Sequence, residues 1–255
     1  MRVLVRWNYS YASADGGGGT YPPRARYDDF IHWCAQSISA SKGVWGHIIG
    51  NEPNRAGERA DYRDNTHKGT PILAKDITYI VNGVLRNVPH ATRISPPAID
   101  PTNVETADPR AYWKEILPEL ANVEFFALHA YSYGVNQPVN SNDRFGEPMS
   151  WQYHSFRIWE PLAQALYADA RFRTQPLIIT ETNHLVKHDG KSPGWVPEAD
   201  AWIKSMYDYL RGWNSKPGEQ FVHGACLYRL EGDDWKIRDK PQLLQALRDN
   251  GTQPT

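Results

Sequence analysis

The chain has 255 residues, of which 40% are hydrophobic and 22% are charged, and its formal net charge at pH 7 is -1. This length and composition predict a folded domain with a sizeable core and exclude a disordered chain. The small net charge gives no field that would attract nucleic acid or an acidic membrane, so neither is predicted as a partner.

The aromatic content is high, with 10 Trp and 14 Tyr. Core packing accounts for a large part of these rings. Those that fall beside Gly, Pro and Asn in predicted loops are suited to stacking on sugar rings, because they are flat, apolar and polar-tipped.

No stretch of the sequence approaches 18 consecutive apolar residues, and the opening MRVLVRWN lacks the apolar core and cleavage site of a signal peptide. We therefore expect neither a membrane span nor a leader in this chain. The compartment stays open, because a truncated N-terminus could have carried a secretion signal. Of the two cysteines, Cys34 falls in a predicted helix and Cys226 in a predicted strand. Two buried free thiols are favoured over a disulfide.

Apolar runs of strand length alternate with helical patterns along the whole chain. Strands are predicted at 3–5, 45–50, 92–99, 123–130, 177–180 and 221–228. Helices are predicted at 27–38, 71–88, 111–120, 151–169, 198–213 and from 240 to 247, and a glycine-rich loop is predicted at 15–19. Such alternation, with strands that are apolar throughout, indicates a parallel sheet covered by helices.

Two arrangements of such a sheet are possible, an open doubly wound sheet and a closed barrel. No glycine-rich phosphate loop follows any predicted strand. Instead, polar residues occupy the carboxyl ends of several strands, where a barrel places its active site. The sequence therefore predicts a single TIM-type (β/α) barrel domain spanning residues 1–255.

Two strand ends carry a glutamate in a distinctive setting. Asn51-Glu52-Pro53 follows the second predicted strand, and Thr180-Glu181 follows a strand three βα segments later. Cleavage of a glycosidic bond needs two carboxyl groups on opposite sides of the anomeric carbon. One must hold a proton and the other must stay ionised. Glu52 and Glu181 fit these roles, and Asn51 could hydrogen-bond a sugar hydroxyl beside Glu52.

These motifs, with His129-Ala130-Tyr131 on the strand between them, resemble clan A glycoside hydrolases of the cellulase and mannanase type. The resemblance implies a (β/α)8 barrel with Glu52 as acid/base after strand four and Glu181 as nucleophile after strand seven. It also implies that Tyr131 hydrogen-bonds the nucleophile and that His129 lines the pocket.

Four further residues are candidates for substrate binding. Arg6 and Trp7 end the first predicted strand, although their match to the family is weaker. At the last strand, where family members often place a Trp beneath the sugar, the chain offers Tyr228 and, in the following loop, Trp235. The sequence does not decide between these two.

Compared with the family pattern, the N-terminal part of the predicted barrel is short. Only one strand precedes Glu52, so the first two βα segments of an eight-stranded barrel are missing, and the six visible strands would be strands three to eight. Three explanations stay open: a fragment or misplaced start, an incomplete barrel covered by loops or a second subunit, or strands that the pattern hides. An incomplete barrel would expose strand edges, which predicts a homodimer.

The sequence gives less support to metal-dependent, α/β-hydrolase or aldolase-type reactions. No His-x-His, His-Glu-x-x-His or Cys-x-x-Cys motif occurs, so no metal and no cofactor is predicted. The Gly-x-Ser-x-Gly elbow of α/β-hydrolases is absent, and no predicted strand ends on the lysine that an aldolase-type enzyme would need.

The sequence thus predicts a retaining glycosidase that acts on a β-linked oligo- or polysaccharide, with its two carboxyl groups about 5–5.5 Å apart. The alternative is a non-catalytic carbohydrate-binding protein derived from such an enzyme.

Overall fold

The computed structural model describes residues 3–10, 19–64, 66–184, 194–196, 198–232 and 234–251. Most of the glycine-rich loop predicted at 15–19 lies outside these residues. The strands are β1 (Leu4–Trp7), β2 (Gly46–Ile49), β3 (Ile94–Ser95), β4 (Phe126–Tyr131), β5 (Leu177–Asn183) and β6 (Val222–Leu227). The α-helices are α1 (Tyr27–Ala40), α2 (Ala74–Asn87), α3 (Pro109–Ile116), α4 (Glu160–Tyr167), α5 (Ala199–Asn214) and α6 (Pro241–Gly251). The predicted mixed α/β class is confirmed.

The strands form two parallel sheets, with the orders β1-β2-β3 and β4-β5-β6. The chain divides into two compact units. The first comprises Met1–Ala127 and Ala165–Gln175, and the second comprises Leu128–Gln164 and Pro176–Thr255. In the first unit, Arg6 pairs with Ile48 and Trp7 pairs with Ile49.

The first unit buries one apolar face of each of its long helices. Helix α1 contributes Phe30, Ile31 and Ile38, and α2 contributes an apolar stripe that includes Ile77 and Ile80. The two helices approach closely at Gly83, where an added Cβ would lie 2.6 Å from Cδ1 of Ile31. A side chain at this position would therefore displace the side chain of Ile31.

The second unit is packed around the large rings of α5. Trp202, Ile203 and Met206 of this helix are all buried. The ring of Trp213, near the end of α5, lies 4.7 Å from that of Trp159 between centroids, at 70° to it. Edge contacts of this kind add to the free energy of apolar burial.

Two predicted elements are shorter than the sequence pattern indicated. Strand β3 covers only Ile94–Ser95 of the predicted 92–99, because Pro96 and Pro97 have no N–H to donate to a ladder. Helix α2 begins at Ala74 instead of residue 71. There the carboxylate of Asp76 accepts the backbone N–H of Leu73 at 2.8 Å, which starts the helix three residues later.

The helix predicted at 151–169 is wrong in its first half. The chain forms a 3-10 helix at Phe156–Trp159, and α4 covers only Glu160–Tyr167. The side chain of Ser155 accepts the N–H of Arg157 and donates to the carbonyl of Ser141. This N-cap sets the start of the helical segment at Phe156, so the residues before Ser155 are not helical.

The two cysteines are free thiols, as expected. Cys34 is buried in α1, but Cys226 in β6 is exposed, so its predicted burial is wrong. Strand β6 is the outermost strand of its sheet, and only Val222 of its six residues is buried. Within the described residues, no helix combines the length and apolar character that a membrane crossing requires.

Candidate active site

Glu52 lies in the first compact unit, just beyond the carboxyl end of β2. Its side chain is buried, with 2% of the residue exposed, and its backbone N–H donates to the carbonyl of Ala98 at 3.0 Å. The backbone of Glu52 has φ 34°, in the left-handed region that residues with a Cβ rarely adopt. Such strain persists only where the surrounding contacts enforce it, and it clusters at functional sites.

Gly50 makes the turn that delivers Glu52. It has φ 80°, and an added Cβ would lie 2.1 Å from Cζ of Tyr21, whose hydroxyl donates to the carbonyl of Ile49 at 3.0 Å. Gly43 is a matched comparison, since it has φ 73° and no described atom within 4 Å of an added Cβ. The turn at Gly50 therefore requires glycine for two reasons, conformation and space.

We predict that Gly50→Ala destabilises the protein by about 3 kcal/mol or more, because it adds a steric clash to backbone strain. Gly43→Ala should cost about 1 kcal/mol, from the strain alone. Urea unfolding of the two variants measures the difference. Equal losses of stability in both would contradict the close packing of Tyr21 against the turn.

The carboxyl group of Glu52 has charged neighbours of both signs. Nη1 of Arg55 donates to Oε2 of Glu52 at 3.0 Å, and Nε of Arg55 lies 3.5 Å from Oδ2 of Asp100. Burial and the charge of Glu52 raise the pKa of Asp100 to about 6. The same two causes raise the pKa of Glu58 to about 7. Two carboxyl groups therefore oppose a negative charge on Glu52, while Arg55 favours it.

Arg6 reaches the residue that precedes Glu52. Nη1 of Arg6 donates to Oδ1 of Asn51 at 2.7 Å, and the hydroxyl of Thr20 donates to the backbone carbonyl of Asn51 at 2.8 Å. Arg6 occupies the carbonyl end of the Asn51 amide, so its NH₂ end is the part that donates, and a side-chain hydrogen bond joins Asn51 to Glu58. The structure thus brings together Arg6 and Asn51, two of the residues that the sequence analysis offered as candidates for substrate binding.

Trp7, by contrast, is directed away from Asn51. Its indole N–H donates to Nδ1 of His47 at 3.0 Å, and its ring meets that of Trp33 on α1 edge-on, with centroids 5.6 Å apart. Successive residues of a strand point to opposite faces of the sheet, so Trp7 faces the helix when Arg6 does not. The structure therefore does not join Trp7 to the other candidates of this unit.

Asn54 ties the segment after Glu52 to the segment after β3. Its Nδ2 donates to the carbonyls of Asp100 (2.9 Å) and Asn103 (3.0 Å), and its Oδ1 accepts the N–H of Asp100 at 2.9 Å. The residue is fully buried. These bonds hold the Asp100 carboxyl group near Arg55 and hence near Glu52.

Glu181 lies in the second compact unit. It belongs to β5 itself, which runs three residues beyond the predicted strand end. The hydroxyl of Tyr131 donates to Oε2 of Glu181 at 2.7 Å, and Nε2 of His129 lies 3.8 Å from Oε1. His129 is fully buried and Glu181 nearly so. The hydroxyl fixes the orientation of the carboxylate, which is the contact that the family resemblance implied.

The structure distinguishes the two candidates at the end of β6. Tyr228 is half-buried, and the guanidinium of Arg229 lies 5.2 Å from the centre of its ring. Trp235 is only 8% exposed, and its ring packs against those of His184 (5.6 Å) and Trp195 (5.9 Å). Trp235 therefore belongs to a buried aromatic cluster, and Tyr228 is the better candidate for contact with a ligand.

No protein-family model matches this chain, and no curated protein matches it either. Solved structures do match. One is a GH128 subgroup I endo-β-1,3-glucanase from Amycolatopsis mediterranei in complex with laminaripentaose, with 15% identity and a TM-score of 0.56 over 88% of this chain and 79% of that one. The fold is shared with glycoside hydrolases. The resemblance predicted from the sequence is thus confirmed at the level of fold.

Two other solved structures are similar. A GH128 subgroup VII oligosaccharide-binding protein from Cryptococcus neoformans is 11% identical, with a TM-score of 0.50 over 97% of this chain and 87% of that one. A monomeric β-xylosidase from Caulobacter crescentus CB15 is 15% identical, with a TM-score of 0.50 over 86% of this chain and 44% of that one. The fold thus occurs in proteins described as a glucanase and a xylosidase and in one described as an oligosaccharide-binding protein.

Sequence reasoning missed four residues of the first compact unit that lie around Glu52: Asn54, Arg55, Glu58 and Asp100. The interval of three residues between Glu52 and Arg55 was a usable signal, since it suits an ion pair across one turn. Asp100 offered no such signal, because only the folded chain brings the segment after β3 to Arg55.

Proposed function

We propose that this protein is a retaining glycoside hydrolase acting on a β-linked glucan, with Glu181 as nucleophile and Glu52 as general acid/base. The observation that carries the proposal is the 2.7 Å hydrogen bond from Tyr131 to Glu181. A glutamate, a tyrosine and a histidine named in advance from two strand ends are found in contact within one compact unit. The separation of 5–5.5 Å for Glu52 and Glu181 stays a prediction of this mechanism.

In the proposed reaction, a carboxylate oxygen of Glu181 attacks the anomeric carbon as the bond to the leaving oxygen breaks. Glu52 donates its proton to that oxygen, so the leaving sugar departs as an alcohol. Water then attacks the glycosyl ester, Glu52 takes a proton from this water, and Glu181 leaves as a carboxylate. Two displacements at one carbon give net retention of configuration.

The surroundings of Glu52 suit a group that must be neutral in the first step and charged in the second. Burial and the neighbouring carboxyl groups of Glu58 and Asp100 favour the protonated form, and Arg55 at 3.0 Å favours the ionised form. Influences in both directions therefore act on the carboxyl group of Glu52, as the two roles require. In the same proposal, Asn51 donates to a sugar hydroxyl and Tyr228 contacts the ring of a bound sugar.

The test is hydrolysis of laminaripentaose, because a similar structure is an endo-β-1,3-glucanase described with this ligand. Proton NMR of the first-formed product should show the β-anomer before mutarotation. An α-anomer would contradict the roles given to the two glutamates. If laminaripentaose gives no product, a panel of β-1,4-linked glucan and xylan oligosaccharides tests whether the enzyme acts on another linkage by the same mechanism.

A second candidate function is carbohydrate binding without catalysis. It is favoured by the similar fold of the oligosaccharide-binding protein from Cryptococcus neoformans. Calorimetric titration of the wild-type chain with laminaripentaose distinguishes the two functions. Binding without any hydrolysis over long incubation would support the second.

We also propose that residues 1–255 form a single (β/α)-barrel domain, as the sequence predicts. In this barrel the six strands correspond to strands three to eight. Strands β1 and β6 are each the terminal strand of their sheet. An edge strand offers unpaired backbone groups to another chain, so we also propose a homodimer. A single-chain mass in sedimentation at micromolar concentration would contradict it.

A further inference from the structure

Asn183 is the last residue of β5 and has no role in the mechanism above. Only 2% of the residue is exposed. Its Oδ1 is buried and makes no hydrogen bond within the described part of the chain. A buried acceptor without a donor is unfavourable, because it has lost its hydrogen bonds to water and no protein donor replaces them. Such a group requires an explanation, and a ligand hydroxyl is one.

The backbone of β5 shows which way Asn183 faces. The N–H of Ser132 in the segment after β4 donates to the carbonyl of Asn183 at 2.9 Å, and the N–H of Tyr228 after β6 donates to the carbonyl of Thr182 at 2.9 Å. The register of β5 against β6 shifts between Ile179 and Thr182, and at Thr182 and Asn183 the successive carbonyls point to opposite neighbouring strands. Side chains two residues apart then share a face, so Asn183 lies on the face of Glu181.

This face is the one that carries the proposed nucleophile and its partner. Tyr131 on β4 hydrogen-bonds Glu181 there. Asn183 is one step further toward the carboxyl end of the strand, which is the end where parallel sheets bind ligands. An amide at such a place can accept a hydrogen bond from a hydroxyl without the charge that a second carboxylate would add beside Glu181.

We propose that Asn183 is a substrate-binding residue whose Oδ1 accepts a hydrogen bond from a hydroxyl of the glycosyl unit attacked by Glu181. This inference rests on the proposed function and deepens it. The ligand class is a polyhydroxylated sugar with a free hydroxyl at that position. A sugar that lacks the hydroxyl there, or carries an ether in its place, leaves Oδ1 unpaired and binds more weakly.

The test uses Asn183→Leu, which keeps the branched shape of the side chain and removes the acceptor, together with Asn183→Ala, which removes both. We expect kcat/KM for laminaripentaose to fall by about 10- to 100-fold in each variant. The melting temperature of Asn183→Leu should be equal to that of the wild type or higher, because no unpaired acceptor remains buried. A residue with a purely structural role would show the reverse, a lower melting temperature with kcat/KM retained.

Asn214 provides the matched control, because both ends of its amide are bonded to the backbone of Val222, at 2.9 and 2.8 Å. Asn214→Leu should lower the melting temperature and leave kcat/KM of the folded fraction unchanged. Values of kcat/KM within twofold of the wild type in both Asn183 variants would overturn the inference. So would a fall in melting temperature of Asn183→Leu as large as that of Asn214→Leu.

A binding measurement separates this inference from the proposed function. Laminaripentaose is titrated into Glu181→Gln, with and without Asn183→Leu, and we expect the Kd to rise by about tenfold in the double variant. If the wild type binds without hydrolysis, a rise in Kd still supports the role of Asn183 and an unchanged Kd overturns it. If the wild type neither binds nor hydrolyses any β-glucan, the proposed function itself fails.

Discussion

Glu181→Ala is expected to reduce hydrolysis of β-glucan by a factor on the order of 10⁴ or more. The carboxylate that forms the bond to the anomeric carbon is lost, so no covalent glycosyl-enzyme can form. The hydroxyl of Tyr131, which donates to Oε2 of Glu181 at 2.7 Å, loses its acceptor at the same time. Initial rates on laminaripentaose and on an activated aryl β-glucoside measure the loss.

Azide should restore part of this activity on the activated substrate. A small anion fits the space vacated by the carboxylate and attacks the anomeric carbon from the same side. One displacement replaces two, so the product is the α-glycosyl azide, of inverted configuration. Proton NMR of the product identifies it. A β-glycosyl azide from Glu181→Ala would mean that the roles of the two glutamates are exchanged.

Glu160 is the matched control for this experiment. It is a second buried glutamate of the same compact unit, paired with Arg157 at 2.9 Å and bonded to the hydroxyl of Tyr209. Glu160→Ala should lower stability, because it leaves Arg157 without its partner. It should yield no glycosyl azide. Near-wild-type rates in Glu181→Ala on every glycoside would reject the nucleophile assignment.

The chemistry-bearing motifs could be predicted from the sequence because each is local. Asn51-Glu52 and His129-Ala130-Tyr131 occupy strand ends that the apolar runs mark clearly, and the contact between Tyr131 and Glu181 was implied by the family resemblance. The direction in which each side chain points was harder to predict from the sequence. Trp7 and Trp235 satisfied the composition argument for sugar binding, yet the pleat of β1 turns Trp7 toward α1, and a cluster with His184 buries Trp235.

Long-range partners could not be predicted for a different physical reason. Asp100 affects Glu52 only because Asn54 holds the segment after β3 in place through three hydrogen bonds. No spacing in the sequence encodes such a bond. The unpaired Oδ1 of Asn183 is likewise a property of the packed chain. Residues of this kind are found by asking where each buried polar atom is satisfied.

Glu52→Ala is expected to separate substrates by the quality of their leaving group. Unactivated β-glucan needs a proton on the departing oxygen, so its hydrolysis should fall by about 10²- to 10⁴-fold. An aryl glycoside with an acidic phenol leaves without that proton, so its glycosylation rate should change little. Comparison of laminaripentaose with a 2,4-dinitrophenyl β-glucoside measures both effects. Azide should now give the β-glycosyl azide, because the Glu181 intermediate still forms.

Glu58→Gln provides the control, because Glu58 is a carboxyl group close enough to Glu52 for the Glu52 charge to contribute to its raised pKa. If Glu52 alone donates the proton, Glu58→Gln should show a far smaller selective loss on laminaripentaose than Glu52→Ala. A selective loss on laminaripentaose in Glu58→Gln, with none in Glu52→Ala, would transfer the acid/base role to Glu58. Burial favours a proton on Glu52 and Arg55 opposes it. A larger loss on laminaripentaose than on the aryl glucoside in Glu52→Ala therefore also shows that the native side chain holds a proton when the substrate binds.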